Sequence, residues 1–491
     1  MKSSRWIKTV GALLAILSLT VCVTFAEESS AVSQSTPADE IRQIVSEKSQ
    51  LICELNRAVW SYAELGWQEH QSAAKLTAAL EAEGFQVEKE IAEIPTAFVA
   101  RYGSGSPVIG FLAEYDALPN LSQKSGCPTQ TPIPENPNGH GCAHSVLGAG
   151  AVGGAIAVKE YLKRHPEMKG TIVLYGTPAE ENGCGKTFMV KRGCFRDLDV
   201  FFSWHPSTVN RVASAKTLAC YHVKYAFDGV SSHASGSPDQ GRSALDACEL
   251  MNVGVNYLRE HVPTSSRIHY AYLDCGGSAP NVVPNHTEIL YYIRGVTLAD
   301  CNRLRERINE IARGAALMTE TKVSIQICQG LSDFVTNRTA AKVLNQALHE
   351  MGAPSFEEPD YELARAFAKT SSPDRNQLLE TRLKDYDPNA APAQNYASTD
   401  DGDVSQIVPG ARFNLATGIP GTPIHSWLMT AQAGSSIGDH CAHGAARVFA
   451  RTAILFFEKP ELVGAAQKEH SETLGANYQS PIPDGVQPWN F

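Results

Sequence analysis

Two short runs constrain this chain more than any other feature. Val108-Ile-Gly-Phe-Leu-Ala113 is apolar without a break, and Thr171-Ile-Val-Leu-Tyr175 is nearly so. A strand that faces water on one side alternates apolar and polar residues. A run with no alternation belongs in a sheet covered on both faces. Between the two runs lies an Ala- and Gly-rich stretch, Gly148 to Leu162, long enough for a helix. Strand, helix and strand in that order make a βαβ unit, which implies an α/β fold with a central, mostly parallel sheet.

The rest of the first half supports that frame. Asp39 to Leu65 has helical spacing of apolar residues, and Ser72 to Glu83 is a second helix stopped by Gly84. Thr96 to Tyr102 and Val200-Phe-Phe202 read as further strands. Near 216 the pattern changes. Strands are predicted at 221–228, 267–273, 287–294 and 323–328, with helices at 241–260 and 298–319. This βαββαβ order is the ferredoxin-like signature of an inserted α+β domain, 216–333. The first domain then returns over 334–460, with a helix at 340–351, a strand at 412–417 and a closing helix at 439–458. Residues 353–396 read as a polar elaboration and 461–491 as a Pro- and Gly-punctuated tail. A chain of 491 residues exceeds one ordinary core, so two domains are expected.

The N-terminus carries Lys2, Arg5 and Lys8, then apolar Gly11 to Val23, then Thr24-Phe25-Ala26. That is the layout of a secretory signal over 1–26, leaving 27–215 as the first part of the mature first domain. The protein is expected to be exported, periplasmic or extracellular. The alternative is an anchor through the same apolar segment. No later stretch is apolar enough to span a membrane. A net charge of −10 argues against nucleic acid or an anionic membrane as the main partner. Of 12 cysteines one lies in the signal, so an odd number remains and one thiol must be unpaired or bound.

Polar groups cluster after the predicted strands, where open α/β sheets place their sites. They are Asp116, Cys142 with His144, the pair Glu180 and Glu181, His205, and His425 in the loop Thr422 to Trp427. Each alone has a mundane reading as turn, cap or solvated residue. Together, Cys, His, Glu and His are the ligand set of zinc or a similar divalent ion. Adjacent glutamates suit hydrolysis: one ligates, and the other takes a proton from water and passes it to the leaving amine. Asp116 is placed to orient a ligating His rather than to bind. On the inserted domain His233, Asn281 and Arg294 make a set for an anion, either a substrate carboxylate or an oxyanion.

These segments, in order, resemble the metallo-amidohydrolases related to aminoacylase and carboxypeptidase G. The branch they look most like holds the B subunit of aminobenzoyl-glutamate hydrolase and its dipeptidase relatives. The matching runs are 113–119, 139–144, 176–181, 203–206, 232–234, 279–284, 398–405 and 421–427. The resemblance implies a zinc-peptidase-like catalytic domain with an inserted dimerisation lid. It implies two divalent metal ions (zinc, manganese or cobalt) on Cys142, His144, Glu181, His205 and His425, with Cys142 bridging. Glu180 would be the general base. His233 would reach into a partner's site, and Asn281 and Arg294 would hold the substrate carboxylate. The substrate would be a small N-acyl amino acid such as p-aminobenzoyl-glutamate; the alternatives are a dipeptidase of β-alanyl or similar type, or a metal- or peptide-binding protein that has lost catalysis. The partner would be a second copy or a paralogous subunit. Two positions depart from the pattern: Ala143 stands for a frequent Gly, and Ser145 for a usual Asp or Asn.

Overall fold

The apolar runs do become the centre of a sheet. The computed structural model describes residues 35–371, 378–475 and 478–489, so the expected signal over 1–26 lies outside the described residues. Eleven strands follow in chain order. They are β1 Gln86–Lys89, β2 Phe98–Ser104, β3 Val108–Ala113, β4 Gly170–Gly176, β5 Val200–Ser207, β6 Arg211–Val212, β7 Ala219–Asp228, β8 Arg267–Asp274, β9 His286–Gly295, β10 Lys322–Leu331 and β11 Gly410–Ala416.

Seven of them form one sheet in the order β1-β2-β4-β3-β5-β11-β6. The central block β4-β3-β5-β11 is parallel throughout, while β1, β2 and β6 join the edges antiparallel. β3 and β4 are buried almost end to end, as their lack of alternation requires. One face is covered by the helices His144–Arg164 and Ser436–Glu458, with the Phe111 ring 4.4 Å from that of Phe449. The small residues of the first helix have a packing reason. A Cβ at Gly154 would lie 2.6 Å from the Cβ of Phe449, so the two helices meet closer than any side chain there permits. The opposite face packs Leu112, Val173 and Phe201 against Phe188, Met189, Val404 and Ile482.

The inserted segment forms its own antiparallel sheet in the order β10-β7-β9-β8. Helices Ala244–Leu258 and Leu298–Thr319 bury Met251, Val255 and Ile308 against Val223, Tyr225, Ile289 and Tyr291 on one face of that sheet. Alternate residues, among them His222, Tyr292 and Arg294, line a cavity on the other face.

Three expectations need correction. The helix expected over 39–65 breaks at Lys48 into Pro37–Glu47 and Ser49–Tyr62. The 461–491 segment begins with a real helix, Glu461–Leu474, whose mostly polar surface buries Ala466. The polar segment 353–396 contains helix Glu358–Ser371, with Phe367 and Ala364 buried, and its far end supplies Asn395 and Tyr396 to the cavity wall. No helix among the described residues is long and apolar enough to cross a membrane. The eleven cysteines from Cys53 to Cys441 are all free of disulfides.

Candidate metal centre

The polar groups gather at the C-terminal ends of the four parallel strands. Asp116 follows β3, Glu180 and Glu181 follow β4, His205 sits near the end of β5, and His425 lies in the loop after β11. Cys142 and His144 enter from the loop that starts helix His144–Arg164. Sharp turns aim them inward. Ala143 and Ala179, each directly before a site residue, adopt left-handed φ values of 61° and 56°, and His425 itself has φ 59°. A non-glycine residue there costs roughly 1–3 kcal/mol, which the surrounding packing must hold. Glycine adopts such angles without that cost.

Asp116 organises the pair around it. Its Oδ1 accepts from Nδ1 of His144 at 2.8 Å, and its Oδ2 accepts from the backbone N–H of Glu181 at 2.9 Å. The first bond fixes the ring and leaves Nε2 of His144 facing the cluster. His205 is turned the same way: its Nδ1 bonds the Pro206 carbonyl at 2.7 Å, and Nε2 lies 3.3 Å from the Cys142 Sγ. His425 Nε2 is 3.3 Å from Glu181 Oε2.

Two triads share Cys142. The donor atoms of Cys142, His144 and His205 lie within 4.8 Å of one another, and so do those of Cys142, Glu181 and His425. Two further observations fit these groups to cations. His144 Nε2 and Glu181 Oε1 are buried with no hydrogen-bond partner among the described residues. Such orphaned atoms are costly unless something else satisfies them. The protonation preferences agree. Burial, with Glu181 alongside, pushes the Cys142 thiol well above its ordinary range. Burial lifts Glu181 to about 7 despite the opposing pull of His144. Burial and His144 push His205 down to about 3. His144 goes the other way: burial lowers it, but Cys142 and Asp116 hold it well above its ordinary range. A divalent ion bound here would displace protons from Cys142, Glu181 and His144 by its own charge.

Glu180 joins neither triad that shares Cys142, though with Glu114 and His144 it forms a third group whose donor atoms lie within 4.8 Å of one another. It is half-buried and lines the cavity. Burial, Glu114 and Asp400 hold its carboxyl well above the usual range. Glu114 comes within 3.3 Å of His144 Nε2 and belongs to a cluster whose function the sequence reading missed. Lys186, fully buried, places its Nζ 2.6 Å from Glu114 Oε1, 2.6 Å from Asp400 Oδ1 and 3.4 Å from Asp401 Oδ1. A lysine inside the apolar run 183–190 was the signal for it.

The site opens into a cavity of about 700 Å³ walled by both sheets. Of the anion set, Arg294 lines it and donates to Ser398 Oγ at 2.7 Å. His233 and Asn281 do not line it. They sit together on exposed loops of the inserted segment, where Ala234 N–H bonds the Asn281 carbonyl at 2.9 Å. Ser145 is buried, and its hydroxyl has no hydrogen-bond partner among the described residues.

Fold and site together define a metal-dependent amidohydrolase. Residues 110–407 match the description Peptidase family M20/M25/M40, and the chain belongs to that family. It is 38% identical over 453 residues to the B subunit of p-aminobenzoyl-glutamate hydrolase from Escherichia coli (strain K12), covering 88% of this chain and 94% of that protein. It is 28% identical over 440 residues to Xaa-Arg dipeptidase of Mus musculus, covering 87% and 90%. The fold matches a dinuclear metal-binding M20 peptidase from Bacillus subtilis with a TM-score of 0.57 at 16% identity, covering 84% of this chain and 99% of that one.

Proposed function

We propose that this protein hydrolyses the amide bond of small N-acyl amino acids, with p-aminobenzoyl-glutamate as the leading substrate. The observation that carries this is Glu180: a carboxyl of raised proton affinity, outside the two triads that share Cys142 but grouped with His144 and Glu114 beside them, on the wall of the cavity that Arg294 also lines. Two divalent ions, zinc or manganese with cobalt a further fit, would be held by Cys142, His144, Glu181, His205 and His425. When bound, they would polarise the amide carbonyl and ease ionisation of the attacking water. The chain's own residues do the rest. Asp116 holds His144 in one tautomer, Glu180 accepts the proton of the attacking water and returns it to the leaving nitrogen, and Arg294 orients the substrate carboxylate.

The cavity favours an anionic aromatic substrate. Arg211, Arg267 and Arg294 line it, and the only described acids that do are Glu180 and Glu181. A cationic side chain, as an Xaa-Arg dipeptide carries, meets repulsion there. His222 and Tyr292 stack with ring centroids 3.6 Å apart and planes 4° apart, a flat wall for an aromatic acyl group.

The inserted segment is read as a dimerising lid. Leu250, Val253 and Tyr257 on helix Ala244–Leu258, with Leu317 at 81% and Met318 at 66% exposure, supply an uncovered apolar face. A second copy or a paralogous subunit would cover it and could bring His233 and Asn281 to a neighbouring cavity. Export through the 1–26 leader completes the reading, and cell fractionation tests it. The catalytic test is Glu180→Gln with metal content monitored. Hydrolysis of p-aminobenzoyl-glutamate should fall by roughly a thousandfold with the ions retained. Activity at the parent level would refute the assignment.

A further inference from the structure

One edge of the main sheet carries a row of three residues. His205 on β5, Asn414 on β11 and Arg211 on β6 are direct cross-strand partners. Residues so paired project to the same face, about 4.8 Å apart per strand. Arg211 therefore stands roughly 10 Å from His205, within side-chain reach of a group a few bonds from the reacting amide. The row is tied together: Asn414 Nδ2 donates to the His205 carbonyl at 3.0 Å, and Arg211 Nε reaches Asn414 Oδ1 at 3.5 Å.

The three cavity arginines differ in what else they hold. Arg267 donates to the Thr264 and Ser266 carbonyls at 2.6 and 2.8 Å, and its guanidinium lies 4.3 Å from the centre of the Tyr396 ring. Arg294 is bonded to Ser398. Arg211 has no acidic partner among the described residues, and its two terminal nitrogens have no partner there at all. It faces both the main cavity and an adjoining chamber of about 150 Å³ that Glu180 and His205 also line. The other cation of that chamber, Arg412, is already matched by Asp401 at 3.1 Å.

The geometry points to Arg211 as the residue that selects an acidic side chain on the amino acid released by hydrolysis. Arg294 takes the α-carboxylate from the lid side, and Arg211 takes the side-chain carboxylate from the sheet side, through two parallel N–H···O bonds that a neutral amide cannot match. This rests on the N-acyl amino acid reading above.

The test compares p-aminobenzoyl-glutamate with p-aminobenzoyl-glutamine, which have the same shape, in wild type, Arg211→Gln and Arg211→Lys. In Arg211→Gln, kcat/KM for the glutamate substrate should fall roughly 10- to 100-fold while that for glutamine changes less than about threefold. Arg211→Lys should keep part of the preference. Equal falls for both substrates, or none, overturn the assignment of Arg211 and leave the hydrolase reading intact. Calorimetric binding of free L-glutamate against L-glutamine needs no turnover. A wild type that cleaves neither substrate refutes the hydrolase reading. Arg211 then stands or falls on whether the substitution abolishes a preference for glutamate in binding.

Discussion

Lys186→Met removes the one ammonium from a buried nest of three carboxylates. Lys186, Glu114, Asp400 and Asp401 are each at most 3% exposed. The substitution keeps length and apolar bulk but leaves Asp400 without a cation and Glu114 with only His144 at 3.3 Å, while Asp401 retains Arg412 at 3.1 Å. Breaking a buried ion pair from one side costs about 3–5 kcal/mol, because the abandoned charge stays desolvated. Unfolding entropy near 2.1 cal/mol/K per residue over roughly 450 residues gives about 0.95 kcal/mol/K, so melting should drop by about 3–5 °C. The loss should depend on pH in one direction. Burial holds the Asp400 carboxyl at about 7 even with Lys186 present. Its folded value is raised, so the folded state binds the proton more tightly and ionisation costs stability as pH rises through that value. Without Lys186 the value climbs further. Calorimetry should therefore show a larger deficit at pH 8 than at pH 5.5, where the carboxyls take up protons. A deficit under 1 °C at pH 8, or one that grows toward acid, would refute the reasoning.

Two further perturbations test the site and its cover. Asp116→Asn keeps the size of the side chain but disturbs the acceptor that holds His144 at 2.8 Å, so metal affinity should fall roughly 10- to 100-fold by competition with a chelator. An unchanged affinity would remove Asp116 from its orienting role. His222 is pushed down to about 4 by burial, with Arg294 adding to it. Its folded value is depressed, so from pH 6.5 toward 4 the unfolded chain takes a proton the folded chain refuses. Stability then falls by up to about 1.4 kcal/mol per pH unit. Denaturant midpoints should show that acid slope in wild type and a shallower one in His222→Phe, and equal slopes would contradict the buried, neutral imidazole.

The parts of the fold legible in the sequence were those that periodicity controls. β3 and β4 lie in unbroken apolar runs because both faces are covered, and the βαββαβ order of the inserted segment shows in plain alternation. β1 escaped because Gln86-Val-Glu-Lys89 is an exposed edge with no apolar signature. Helix Glu461–Leu474 escaped because it buries little beyond Ala466. In the site, Asp116, Glu181 and His425 follow strands and His205 lies near the end of one, and the sheet brings those ends together; Cys142 and His144 come instead from the loop that starts helix His144–Arg164. Lys186 and Arg211 were not legible. The first is recognisable only by its burial, and the second only by a cross-strand register that no linear pattern encodes. His233 and Asn281 lie on exposed loops away from the cavity, where the sequence pattern alone did not place them.

In the proposed two-ion centre the shared thiol is the deciding donor, because Cys142 joins the group with His144 and His205 to the group with Glu181 and His425. The direct measurement is metal content per chain by mass spectrometry for wild type and Cys142→Ala, purified alike and reloaded with the same ion. The account predicts about two ions per chain in wild type and at most one, weakly held, in Cys142→Ala. Two tightly bound ions in the variant would contradict it.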